Sequence, residues 1–207
     1  MGRPAAAINR FLGLSALVCA PARADLTTML GNLFLAASNA LRRPAPPTPA
    51  LPPPATVPSV DIPRYMGRWY EVGRLPNREQ DGAGRRLVDV TATYTPRRDG
   101  SVEVRNAARD AAAGMRPRGI VGRARRKDAT GAKLDVRFFG LFGGDYWVIG
   151  LDPDYRWAVV GTPSRRRLWI LARAPSLPPE EWERVMAIVG DAGYDPAAVA
   201  RTAQSAA

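Results

Sequence analysis

Between residues 67 and 173 the chain is divided into short runs in which apolar and polar residues alternate, and that division constrains the fold. "LVDVTATY" (Leu87–Tyr94), "SVEVRN" (Ser101–Asn106), "KLDVRFF" (Lys133–Phe139), "YWVIGLD" (Tyr146–Asp152), "RWAVVGT" (Arg156–Thr162) and "RLWILAR" (Arg167–Arg173) are rich in Val, Ile, Thr and aromatic residues. Such runs read as half-buried strands. Turn signals separate them at Pro96–Gly100, Thr130-Gly131 and Asp152-Pro153-Asp154. A strand from Gly67 and a weaker one near Gly119–Arg125 bring the expected number to eight. "LPPEEWERVMAIVGDAG" (Leu177–Gly193) then changes period. It starts with prolines and acids, ends at glycines, and carries Leu177, Trp182, Val185, Met186 and Val189 on one side, as an amphipathic helix does. The expected fold is all-β: an eight-stranded antiparallel up-and-down β-barrel with a C-terminal α-helix packed on its wall. Eight strands leave an interior just large enough for side chains or one small ligand.

Composition narrows what such a barrel can do. Of 207 residues none is histidine, which removes the commonest general base and metal ligand. The single cysteine, Cys19, lies far from the strand runs, so no disulfide, thiol catalysis or cysteine zinc site is expected. No cofactor and no metal is expected. The net charge of +11 is almost all arginine and points to an acidic or anionic partner.

The N-terminal part divides into three. Residues 1–24 read as a signal peptide: Arg3 and Arg10, the apolar run "FLGLSALVCA", then Ala22-Arg23-Ala24 as a cleavage site. Cleavage there removes three arginines and no acid, lowering the charge from +11 to +8. Val18 stands before Cys19, where a lipoprotein would need a small residue. Residues 25–43 form an apolar, helix-spaced stretch in which residues 26–41 rise only ~24 Å, short of the ~30 Å hydrocarbon core. Such a helix lies on a membrane or a partner, or packs on the barrel. "PAPPTPALPPPATVP" (residues 44–58) reads as a polyproline II spacer reaching roughly 45 Å. The barrel with its helix is expected over residues 59–195, followed by a tail over 196–207. The export signal places the protein in the periplasm or at the outer membrane.

Strand alternation selects the inward side chains. Leu134, Val136 and Phe138 oppose Asp135 and Arg137; Val88, Val90, Ala92 and Tyr94 share one face; Val102 and Val104 bring Asn106 with them. The first strand puts Trp69, Glu71, Gly73 and Leu75 on one side. An acid inside a barrel is costly unless paired or wet. Arg173 is the candidate partner for Glu71, and could also stack on Trp69.

"RYMGRWYEVGRLPN", with Gly67 and Trp69, resembles the first signature of the lipocalins. "YWVIGLDPDYRWAVV", with Asp154-Tyr155 in its turn, resembles their second, and "LWILAR", ending on Arg173, their third. The chain is similar to the bacterial outer-membrane lipocalin and apolipoprotein D branch. The resemblance implies a non-enzymatic binder of a small apolar ligand, a fatty acid or lysophospholipid, for transport or storage in the cell envelope. It implies that Tyr94, Asn106 and Trp169 line the ligand cavity, with Val136, Phe138 and Glu71 on the same inward faces. It also implies that Gly67, Trp69 and Arg173 close the other end as structural residues.

At the open end, "FFGLFGG" (Phe138–Gly144) is expected as a loop exposing Leu141 and Phe142, either against a membrane surface or folded back on the rim. Arg85, Arg86, Arg116, Arg118, Arg165, Arg166 and Arg167 are expected there too, while Arg97, Arg98, Arg125 and Arg126 belong to the closed end. Two other functions fit the sequence less well. A lipid-modifying enzyme on the same barrel lacks a visible inward pair of carboxylates. A nucleic-acid-binding barrel needs aromatics on an outer face beside the arginines, and here they face inward, so no nucleic acid is expected.

Overall fold

The computed structural model describes residues 51–82, 84–140 and 142–205. The signal peptide, the 25–43 helix, residues 44–50 and Leu141 lie outside the described residues. A short helix α1 (Ile62–Tyr65) precedes strand β1 (Gly67–Arg74), and a second short helix α2 (Arg78–Asp81) follows it. The strands then run β2 (Leu87–Pro96), β3 (Val102–Asp110), β4 (Arg116–Arg126), β5 (Lys133–Phe138), β6 (Phe142–Leu151), β7 (Trp157–Gly161) and β8 (Leu168–Ala172). Helix α3 (Pro179–Asp191) and a two-residue strand β9 (Ala200–Arg201) complete the order. Each of β2 to β7 pairs antiparallel with its successor, and β1 pairs with both β8 and β2. The sheet therefore closes into the expected eight-stranded barrel.

β1 divides its two edges. Gly67–Tyr70 pair with β2, while Tyr70–Arg74 pair with β8. Past Tyr70 the β2 edge of β1 has no strand beside it except the C-terminal segment. Gly73 and Arg74 pair with Arg201 and Ala200, and the Thr202 amide donates to the Val72 carbonyl. On the far side the Asp89 amide donates to the Ala203 carbonyl. The Gln204 amide Nε2 donates to both Glu71 O at 2.7 Å and Val90 O at 3.0 Å, bridging β1 and β2 where they part. The segment expected as a tail thus completes the wall. Its pairing is with residues more than a hundred positions away, which local pattern cannot reveal.

Two apolar layers result. Inside the barrel, Trp69, Tyr65, Val102, Val104, Ala124, Leu134, Val136, Val148 and Val160 pack around the closed end. Outside, the opposite faces of β7 and β8 (Trp157, Val159, Leu168, Ile170) pack under Val185 and Val189 of α3. α3 comes close because the wall beneath it is bare at two points. A Cβ on Gly73 would lie 2.8 Å from the Trp182 ring, and one on Gly150 2.9 Å from Ile188. The Trp157 indole N–H donates to the buried Glu181 carboxylate at the start of the helix.

Other expectations change. Residues 51–58 do not hold the barrel at arm's length but lie against it. Pro54 is buried, Arg165 Nη2 donates to Pro52 O at 2.6 Å, and the Val57 amide donates to Val148 O at 2.9 Å. Prolines have no N–H to satisfy, so the run can lie on the wall once its carbonyls find donors. The Phe138–Gly144 loop is also shorter than expected. Arg137 pairs with Gly143 and Val136 with Gly144, leaving a tight turn. Among the described side chains of this turn, Phe139 is exposed, at φ 51° and 76% exposure, while the side chains of Leu141 and Phe142 lie outside the described residues.

Candidate functional site

The inward faces of the barrel are buried toward the closed end and become half-buried toward the open end. On β3, Val102 and Val104 are buried, while Asn106 and Ala108, nearer the open end, are half-buried. On β4, Ala124 is buried, while Gly122 and Ile120 are half-buried. On β5, Leu134 and Val136 are buried and Phe138 is half-buried. Ala92, Asn106, Ile120, Val136, Phe138 and Trp169 are inward residues of the upper barrel. Phe138 lies over Gly122, where an added Cβ would meet its ring at 2.6 Å.

Below these residues three phenols meet. Tyr146 on β6 hydrogen-bonds to Tyr94 on β2 at 2.9 Å and to Tyr65 of α1 at 2.8 Å. Tyr65 packs on Trp69 with ring centroids 4.9 Å apart. Burial pushes the Tyr94 hydroxyl up to about 12 despite its bond to Tyr146, and burial raises Tyr65 and Tyr146 as well. All three stay neutral at physiological pH. Below them Trp69 is fully buried, donates its indole N–H to Tyr65 O at 2.8 Å, and lies under the Arg173 guanidinium 3.8 Å from its ring. Arg173 also donates to the Arg68 and Arg64 carbonyls, each at 2.8 Å.

The mouth holds a buried polar cluster. A bulge in β1 between Glu71 and Gly73 shifts the alternation, so Gly73 faces α3 and Arg74 turns inward opposite Trp169. This overturns the expected face of Gly73 and Leu75. Arg74, 5% exposed, donates to Glu71 Oε1 at 2.7 Å, Thr202 Oγ1 at 3.1 Å, Leu87 O at 3.0 Å and both carboxylate oxygens of Asp81. Glu71 is 4% exposed and also accepts from Thr202 and Gln80. Its partner is Arg74, not Arg173, because the bulge brings the nearer arginine round to the same side. Desolvation pushes the Asp81 carboxyl up, but Arg74 and the Asn77 amide outweigh it and hold Asp81 below its usual range. Gln80 accepts from the Trp169 indole N–H at 2.9 Å. The α2 loop is therefore tied across the mouth by Asp81 and Gln80.

The inward residues named from sequence separate by height. Asn106, Phe138, Val136 and Trp169 face inward in the upper barrel; Tyr94 lies below them, bonded to Tyr146; Glu71 sits in the mouth cluster. Gly67, Trp69 and Arg173 meet at the closed end. Alternation in "YWVIGLD" already puts Tyr146 beside Val148, so Tyr146 was readable. Arg74 was hidden by the bulge, for which Gly73 inside a strand is the only local sign. At the rim, Arg118 pairs with Asp110 at 3.0 Å and Arg167 with Glu79 at 2.6 Å, while Arg165 donates to the Ala192 and Pro52 carbonyls. The positive charge expected there is partly neutralised. No group of His, Cys, Asp and Glu among the described residues could hold a metal ion, and no described helix is long and apolar enough to cross a membrane.

A closed eight-stranded barrel of this size is an architecture that can hold side chains or one small ligand. A family model described as "Lipocalin-like domain" matches residues 60–204. Temperature-induced lipocalin-1 of Arabidopsis thaliana is 37% identical over 156 residues, covering 70% of this chain and 80% of that protein. Outer membrane lipoprotein Blc of Escherichia coli (strain K12) is 41% identical over 138 residues, covering 66% of this chain and 75% of that protein. Among solved structures, insecticyanin from the tobacco hornworm Manduca sexta superposes with a TM-score of 0.57 at 17% identity, covering 78% of this chain and 88% of that one, which speaks for the fold alone. The chain belongs to the lipocalin family, whose members bind small hydrophobic ligands.

Proposed function

We propose that the chain is an exported carrier that holds one single-chain acyl lipid, a fatty acid or lysophospholipid, in the upper barrel and does no chemistry on it. The observation that carries this is the burial gradient on β3, β4 and β5: apolar inward faces that become solvent-touched above the phenol floor. One chain of CH₂ groups suits a narrow chamber walled by Ala92, Val136, Phe138 and Trp169, and its polar head would meet Gln80 and the mouth cluster. Likeness to an outer-membrane lipoprotein supports an envelope location. The exposed Phe139 beside the mouth supports contact of that end with a membrane surface.

The test is to purify the full chain, extract it with organic solvent and identify the extract by mass spectrometry, then titrate with a fluorescent fatty acid. Acyl lipid in the extract and saturable binding are expected. An empty extract together with no fluorescent binding rejects the reading. Trp169→Ala should weaken binding about tenfold or more while leaving the circular dichroism unchanged, since a large buried aromatic contact is lost.

A further inference from the structure

The hydrogen bond between Tyr94 and Tyr146 crosses the lumen. β2 and β6 lie four strands apart in either direction round the closed sheet, so they face each other across the barrel. Their hydroxyls meet at 2.9 Å, and their rings stand edge to face with centroids 6.2 Å apart. Tyr65 braces the pair from below through Tyr146 and by its ring contact with Tyr94, centroids 5.6 Å apart. Above this bar the next inward residues are Ala92 on β2, Asn106 on β3, Val136 on β5 and Gly144 on β6.

A cleft lies on the other side. It has a volume of about 240 Å³, enters from the closed end and is lined by Ile62, Pro63, Gly100, Val102, Ala124, Arg126 and Leu134. Val102, Ala124 and Leu134 are inward residues of the lower barrel, and Leu134 is paired with Tyr146 itself. Leu134 and the phenols thus stand between the upper barrel and this lower cleft.

We infer that the Tyr94–Tyr146 bar is a length stop: it fixes how far an acyl tail descends and so selects chain length. This rests on the lipid-carrier reading above. The bar suits the task because its hydroxyls satisfy one another. Pulling them apart to admit a methyl group would leave buried polar groups unpaired, so the bar resists a chain end where an apolar floor of flexible side chains would yield. Above the bar each methylene added to the tail is buried and raises affinity about fourfold. At the bar the rise ends.

The experiment is displacement of a fluorescent fatty acid from the full chain by saturated fatty acids of increasing length. The unsubstituted protein should show affinity climbing with length to a plateau or optimum. In Tyr146→Ala the climb should continue to longer chains, because the upper chamber then opens toward the Val102–Leu134 cleft. If that variant does not fold, Tyr94→Leu breaks the bar from the opposite wall and carries the same expectation. A climb with no plateau in the unsubstituted protein, or a plateau that stays put in a folded variant, overturns the length stop alone. Failure of the unsubstituted protein to bind any fatty acid overturns the carrier reading and this inference with it.

Discussion

Replacing Arg74 by Met tests the buried cluster at the mouth. The guanidinium makes bonds to Glu71, Asp81, Thr202 and the Leu87 carbonyl, so all of its nitrogens are engaged. Met fills much of the same volume and supplies no donor. Removing one partner of a buried ion pair costs ~3–5 kcal/mol, chiefly because the other charge is left uncompensated. Two features place Arg74→Met near the lower end. The Asp81 side chain is 27% exposed and can rehydrate, and Glu71 keeps its bonds from Gln80 and Thr202. A loss of ~3 kcal/mol lowers the melting temperature by roughly 6–12 °C for a domain of this size. Urea denaturation followed by circular dichroism at neutral pH measures it directly. The double variant Glu71→Gln/Arg74→Met removes the stranded charge and should recover ~1–2 kcal/mol relative to the single one. A single-variant loss below ~1 kcal/mol, or a double variant no more stable than the single, would refute the claim that a buried charge governs this end of the barrel.

Arg173→Ala should cost about 2 kcal/mol by losing the Trp69 stack and two carbonyl bonds, with fatty-acid affinity unchanged; altered affinity would put Arg173 in the chamber. Truncation after Val199 should speed hydrogen exchange at the Asp89 amide, which donates to Ala203; an amide that stays protected would show the seam closes without the tail. The Arg156 guanidinium holds the Asp152 carboxyl below its usual range, with help from backbone N–H groups that outweigh its burial. The stability it contributes is present above the ordinary carboxylate pKa of about 4 and is lost as pH falls through the lower folded value. Asp152→Asn should therefore flatten the acid limb of melting temperature against pH, and an unchanged limb would contradict the ion pair.

What the sequence disclosed follows the range of the forces involved. Strand alternation is local, so the eight strands, α3 and the inward placement of Val136, Phe138, Asn106 and Trp169 could all be read from runs of six to eight residues. A bulge adds one residue to one strand and reverses every face beyond it. That single residue after Glu71 hid Arg74 and led to the wrong partner for Glu71. Contacts between distant segments leave no periodic trace. The pairing of residues 200–205 with β1 and β2, and the seating of Pro52–Val57 on the wall, belong to that class. So does the meeting of Tyr65, Tyr94 and Tyr146, whose hydroxyls come from three separate elements.

The seam has a consequence for the order of events in folding. Gln204 reaches back 133 residues to Glu71, so the piece that seals the wall is synthesised long after the edges it seals. Until then β1 and β2 carry unpaired backbone groups beside the mouth, the kind of edge that invites pairing with another chain. Contacts this far apart in sequence also form slowly. A growing chain of this kind stays open along this edge until residues 200–204 have been made.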